Sequence, residues 1–426
     1  MIPIYHPERR KVFRKKYLYG GLSSALLLAG GAYYLTLQNI SGTKQPAETP
    51  GTELSISPDQ TPLSAWVDPN PTLDGEANVL QGEDKEELPW LPAPPPASMD
   101  RMKKQGCVTD GFLSGYGGDI NSSIAMINRS QCYYLHRALE TWLRPPDFKL
   151  ARKIQEKVTK PNTVYGMFIA EAIDTRAHYY YPDEQRDFEF KKMCRPGSQN
   201  FWGEHTCKPT LARAEYRKYV LYITEQAMNM GVQSFMFGEI FYQDAGDLKE
   251  TLMPEMIRAM RDYADFRGMK IIVGAQTNDI TDENYLRLFD YIEGGVGLGT
   301  DGSIENGPCF SRWWQKPGDW CWALLWNEQY ASRANNVFLH FDWSGRLGDD
   351  MDIFTRMDKD GRDTTLRNLY AYFTKRNFGF LMPLQATLHK DTIGCHGPKE
   401  RFYSASRKYS CQDEDTINAV LGKFKE

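Results

Sequence analysis

Residues 231–244 read GVQSFMFGEIFYQD, from Gly231 to Asp244. Val232–Phe237 is short, apolar and rich in β-branched and aromatic side chains, which predicts a buried strand. It runs straight into Gly238-Glu239. A carboxylate at the mouth of a buried strand must be solvated, paired or used, because an unpaired charge in a core costs several kcal/mol. The pattern recurs along the chain. Gly166–Ala170 leads to Glu171, and Ile271–Ala275 to Gln276 with Asn278 beyond. Asp290–Ile292 leads to Glu293, Val337–Phe341 to Asp342, and Phe378–Leu384 to Gln385. Six apolar segments ending in a carboxylate or a side-chain amide are what a (β/α) barrel places on its active face, at the C-terminal ends of parallel strands.

The segments around them alternate between strand and helix patterns, which predicts an α/β fold: a (β/α)8 TIM-like barrel over residues 99–426. Cys107–Tyr116 opens it as a first strand and carries Asp110 and Tyr116. Ser130–Leu143 has helical spacing. Leu211–Met230 is a helix with Tyr219, Ile223 and Ala227 on one side and Gly231 at its C-terminal cap. Seven strands are countable, not eight. The missing one either hides in the aperiodic insertion Asp174–Lys208 or leaves the barrel irregular. A doubly wound open sheet is the runner-up, but its usual phosphate loop and helix after the first strand are absent.

Upstream of that domain the composition changes twice. Arg9, Arg10, Lys11, Arg14, Lys15 and Lys16 precede Tyr17–Leu37, which carries no charge and has the length of a membrane-spanning helix. Basic residues before such a segment stay inside, so residues 1–16 are expected in the cytoplasm and residues 99–426 outside the membrane, at the cell surface or in a lumen. A cleaved signal peptide is the competing reading. Residues 38–98 are rich in Pro and acidic residues and read as a disordered stalk, with Trp66 and Trp90 as possible docking points on the folded domain. All eight cysteines follow the stalk, so disulfides in an oxidising space are expected. Sequential pairing would join 107–132, 194–207, 309–321 and 395–411, although sequence alone leaves connectivity open. A net charge of −4 gives no reason to expect nucleic acid as a partner.

Familiar cofactor motifs are missing. Gly297–Gly302 matches GxGxxG but no helix pattern follows it, so a loop is the better reading. Asp358–Asp363 resembles part of a calcium loop without the distant Glu, and reads as an exposed acidic loop. No GxSxG, Walker or HExxH pattern is present, and the seven histidines are too scattered in sequence to suggest a metal centre. No organic cofactor or metal is implied. Tryptophans crowd the segment from Trp313 to Trp326, including Trp320, and Trp343 follows Asp342. Indoles on loops pack in cores by default, but they also suit the apolar faces of sugar rings.

Strands that end in carboxylates beside tryptophan-rich loops resemble barrel-type glycoside hydrolases. The resemblance is architectural and covers about residues 107–390. It implies a glycan substrate and a pair of carboxyl groups, one protonated and one ionised. In the large retaining group of that family, an acid/base Glu follows strand four and a nucleophile follows strand seven. Glu239 and Asp342 take those places if one early strand is hidden, with Glu171 and Glu293 as substitutes. Two departures stand out: Gly238 replaces the usual Asn, and Asp342 the usual Glu. Gln276, Asn278, Gln385, Asp110, Tyr116, Trp320 and Trp343 are then the candidate substrate-binding residues. The expected function is a membrane-anchored, extracytoplasmic glycosidase. The alternatives are a non-catalytic glycan-binding barrel and a tethered glycosyltransferase.

Overall fold

The computed structural model describes residues 89–244, 251–277, 280, 282–304, 325, 333–343 and 347–423. Its centre is a ten-stranded sheet. The strands are β1 (Gly106–Thr109), β2 (Tyr134–Leu139), β3 (Val164–Ile169), β4 (Ser234–Phe237), β5 (Ile272–Gln276), β6 (Tyr291–Gly295), β7 (Val337–His340), β8 (Gly379–Phe380), β9 (Met382–Thr387) and β10 (Phe402–Ser404). Their spatial order is β8-β7-β6-β5-β4-β3-β2-β1-β9-β10. Every neighbouring pair is parallel except β9–β10. Only Leu381 separates β8 from β9, and its N–H donates to the Leu339 carbonyl at 2.8 Å. One short segment is therefore bonded to β7 with its first residues and to β1 with its last. The sheet curls round on itself in a TIM-like way. Every residue of β1, β3, β4 and β7 is buried, which is why these strands read as unbroken apolar runs rather than alternating ones.

The hidden strand is β2, and it corrects two expectations. Ser130–Leu143 is not a helix: Tyr134–Leu139 pairs with β1 on one side and β3 on the other. A strand buried on both faces shows no alternation, so the spacing of Tyr134, Leu135, Ala138 and Leu139 imitates a helix stripe. The insertion holds no strand of the main sheet. It forms two small antiparallel pairs instead, Ile173–Asp174 with Thr206–Cys207 and Tyr180–Tyr181 with Arg186–Asp187. With β2 counted, Glu239 lies after the fourth strand and Asp342 after the seventh.

Helices follow the strands. They include α1 (Met99–Lys104), α2 (Ile120–Arg129), α3 (Phe148–Gln155), α4 (Ala214–Asn229), α5 (Leu252–Phe266), α6 (Asp350–Arg356), α7 (Lys359–Thr374) and α8 (Glu414–Leu421). On α4 the buried face carries Tyr219, Ile223 and Ala227. Gly231 follows with φ +81°, a left-handed conformation that glycine adopts without strain. Asp358, part of the apparent calcium loop, caps α7 by accepting the Gly361 N–H at 2.7 Å. The glycine-rich loop gives its amides to a side chain: Asp350 accepts from Val296, Gly297 and Leu298.

Three expected disulfides are present, Cys107–Cys132, Cys194–Cys207 and Cys395–Cys411. Cys309 and Cys321 lie outside the described residues, as do residues 17–37 and the stalk up to residue 88. Among the described residues no helix is long and apolar enough to cross a membrane. The last ten residues assigned to the stalk lie on the folded domain. Leu91 N–H donates to the Asn229 carbonyl at 2.9 Å, and Arg267 donates to the Leu91 carbonyl at 2.9 Å. Gln233 donates to the Pro95 carbonyl at 2.8 Å, and Trp90 stacks beneath the Arg267 guanidinium at 4.4 Å. Extended proline backbone has free carbonyls, and here side chains of the domain occupy them.

Cys107–Cys132 joins the entries of two adjacent strands. Replacing both cysteines by alanine should lower unfolding stability by about 3 kcal/mol, the entropy of a loop of this size. The urea midpoint measures this; no change in midpoint would mean that β1 and β2 hold each other without the cross-link.

Candidate functional site at the strand ends

Parallel strands point the same way, so the residues at their C-terminal ends gather at one end of the sheet. Deepest there is Glu293 on β6, whose side chain has no solvent exposure. His136 on β2 brings Nε2 to 2.7 Å from one carboxylate oxygen. His340 on β7 brings Nε2 to 3.5 Å from the other. Gln276, at the end of β5, donates Nε2–H to Glu293 Oε1 at 3.1 Å. Burial works against ionising Glu293, but the two imidazoles outweigh it and hold its pKa well below the usual carboxylate range.

The two histidines differ. His340 donates Nδ1–H to the Phe341 carbonyl at 2.9 Å, so a second proton on Nε2 faces the carboxylate. Burial opposes that charge, yet Glu293 prevails and the pKa of His340 is raised. For His136 burial prevails and its pKa is lowered. Its Nδ1 lies 2.8 Å from the Tyr134 hydroxyl, which also reaches Ser234 at 3.0 Å.

Arg137 stands beside this group with φ +53°, a strained conformation for a side-chain-bearing residue. It donates to Glu140 at 2.7 Å, lies 3.7 Å from Asp110, and stacks over Phe168 at 3.7 Å and Trp343 at 4.6 Å. Burial pushes the Glu140 carboxyl well up, against the pull of Arg137. Asp110 accepts from the Thr387 N–H and hydroxyl at 3.1 and 2.8 Å. Gln385 donates to the Asp110 carbonyl at 3.0 Å. These bonds fix the strand ends on both sides of the β1–β9 seam.

Glu171 packs against Gly238, the residue before Glu239. A Cβ at Gly238 would lie 2.3 Å from Glu171 Oε2 and 2.4 Å from the Phe168 ring, so only glycine fits. Burial pushes the Glu171 carboxyl up to about 7, against the pull of Arg137 and Lys208. The Lys208 ammonium lies over Tyr242 at 2.9 Å and Phe201 at 3.2 Å. Such a cage favours a cation by its ring quadrupoles. Glu239 has φ +25°, and its N–H donates to Gln276 Oε1 at 3.3 Å.

Asp342 donates its N–H to Asp350 at 2.9 Å, and burial, followed by the charge of Asp342, pushes the Asp350 carboxyl up to about 6. Trp343 lies against His340 at 4.6 Å and is mostly buried. Tyr116 packs its ring on Gly111. Asn278 and Trp320 lie outside the described residues. The structure therefore brings Asp110, Glu171, Glu239, Gln276, Glu293, Asp342, Trp343 and Gln385 to the strand ends. It adds His136, Arg137, Glu140, Lys208 and His340. His340 had a visible signal, a polar residue inside the apolar run Val337–Phe341. The first three were masked by the helical reading of β2.

No family model matches the chain, and no curated protein is similar to it at a significant level. The fold is similar to several solved glycoside hydrolases. One is a GH27 β-L-arabinopyranosidase from Geobacillus stearothermophilus in complex with arabinose, at 12% identity and TM-score 0.35, covering 68% of this chain and 71% of that one. A second is the cyclic α-maltosyl-(1→6)-maltose hydrolase of Arthrobacter globiformis, at 9% identity and TM-score 0.42, covering 80% and 78%. A third is the debranching enzyme of Nostoc punctiforme, at 8% identity and TM-score 0.37, covering 65% of this chain and 60% of that one. At such values none of them assigns an activity or a substrate to this chain.

Proposed function

We propose that this chain is a glycoside hydrolase, held at a membrane by residues 17–37, that cleaves a glycan with paired carboxyl groups at the C-terminal end of its (β/α)8 barrel. The observation that supports this reading is the close approach of Glu171 to Gly238, the residue that precedes Glu239. A carboxyl that keeps its proton to about neutral pH lies against the turn that presents a second one. Glycoside hydrolysis needs one protonated and one ionised carboxyl around the scissile bond. We assign Glu239 as acid/base, Asp342 as nucleophile or base, and Glu171 as the neighbouring proton reservoir. Arg137, stacked on Phe168 and Trp343, offers a donor-bearing edge to sugar hydroxyls.

Reducing-sugar release from a panel of polysaccharides tests the activity. Tight binding of one glycan without release, by wild type and variants alike, would replace this reading with a non-catalytic binding barrel. Protease added to intact cells tests the topology: residues 99–426 should be digested, and full protection would overturn the anchor orientation.

Glu171 also predicts a pH dependence of stability. Its folded pKa is raised to about 7, so the unfolded chain loses this proton first as pH rises. The folded state binds more protons between about pH 4.5 and 7, and stability falls across that window. Glu171→Gln should flatten this part of the melting-temperature profile. Parallel profiles for wild type and variant would show that Glu171 ionises normally in the folded protein.

A further inference from the structure

The Glu293 side chain is buried without exposure, and the Gln276 amide that donates to it also reaches the proposed acid/base. We infer that Gln276 is a positioning residue, clamped by Glu293 on one side so that its amide oxygen holds the strained backbone of Glu239 on the other. This rests on the reading that Glu239 reacts.

The chemistry of the amide sets its orientation. An ionised carboxylate accepts hydrogen bonds and cannot donate them. Glu293 therefore takes the Gln276 NH2 group, at 3.1 Å, and leaves Oε1 facing the Glu239 N–H at 3.3 Å. The two histidines keep Glu293 ionised and hold both of its oxygens in place. Glu239 needs such a hold. Its φ of +25° lies in a region that side-chain-bearing residues rarely occupy, and such conformations persist only where the surroundings over-determine them. Gln243 also supports the turn, donating to the carbonyls of Gly238 and Ile169. Gln276 fixes the amide of the turn and Gln243 its carbonyl. An ångström of misplacement at a reacting group costs on the order of 100-fold in rate.

The experiment uses the full chain and two readouts. Hydrogen exchange, read by mass spectrometry, reports the peptide containing Glu239. Gln276→Met keeps the shape and removes both hydrogen bonds. It should speed exchange at the Glu239 amide at least tenfold and leave the β3 and β4 peptides unchanged. On a substrate that wild type cleaves, it should lower kcat on the order of 100-fold with KM nearly constant. Glu293→Gln offers the rescue. Its amide oxygen still accepts from Gln276, so kcat should fall no more than about tenfold, whereas Glu293→Met should match Gln276→Met. Melting curves and circular dichroism exclude unfolded variants.

Unchanged exchange at Glu239 in a folded Gln276→Met protein would overturn the proposal. So would a Glu293→Gln variant as inactive as Glu239→Gln, because that outcome makes Glu293 a reacting carboxyl. If exchange responds as stated while Glu239→Gln keeps full turnover, the clamp stands and the acid/base assignment fails.

Discussion

Glu239→Gln should lower turnover on the order of 1000-fold, within the range that a positioned acid/base supplies. The substitution keeps the side chain's volume and removes its proton. Glu239 is buried and follows β4, where Gly238 leaves room beside it that any larger residue would fill with a clash on Glu171 and Phe168. Folding should be intact and glycan binding nearly so, hence the loss belongs to kcat. Gly238→Ala is the companion variant. It leaves the carboxyl in the sequence but drives a methyl group into Glu171, so it should also lose most activity. Full turnover by Glu239→Gln would move the acid to Glu171, whose proton is held to about neutrality.

The largest expected loss of stability is at Asp413. Its side chain has no exposure, and it receives Arg362 Nε at 3.1 Å and the Tyr403 hydroxyl at 2.8 Å. Arg362 also donates to the carbonyls of Met357 and Cys411, each at 2.7 Å. This one guanidinium links the entry of α7 to the disulfide-bonded C-terminal segment. Asp413→Ala leaves it buried and unpaired, which costs about 3–5 kcal/mol. Chemical denaturation measures this directly. Replacing Arg362 and Asp413 together by leucine should recover much of the loss, since an apolar pair leaves no orphan charge. A single variant as stable as wild type would mean that water reaches the guanidinium.

Glu171, Glu239 and Asp342 could be placed at strand ends from sequence because each apolar run stops abruptly at a charge. Those runs are strands buried on both faces, and a charge can follow only where the strand leaves the sheet. The same physics hid β2. Tyr134–Leu139 carries His136 and Arg137 within the strand, and two-sided burial removes the alternation that would have marked it. Lys208 lay in an insertion with no period at all. The contact of Glu293 with His136 and His340 was illegible for a different reason. The three lie on β6, β2 and β7, and only the curl of the sheet, which spacing along the chain does not encode, brings them together. Of the docked segment 89–98 only Trp90 was foreseen, because the segment's composition, free of long apolar runs, is that of a linker. Most of its hydrogen bonds to the domain run through its backbone, and composition does not reveal backbone bonding.

The chain emerges from the ribosome in order, and the segment Gly379–Thr387 comes after all seven of the parallel strands it joins. Until then β1 and β7 both present unpaired backbone edges, the feature that invites association with other chains. The carboxyls after the fourth and seventh strands are translated long before the sheet that aligns them can exist. A protein truncated before residue 379 would thus be an aggregation hazard rather than a smaller enzyme. In a cell, the interval between the synthesis of β7 and the arrival of Leu381 is when this chain most needs a chaperone.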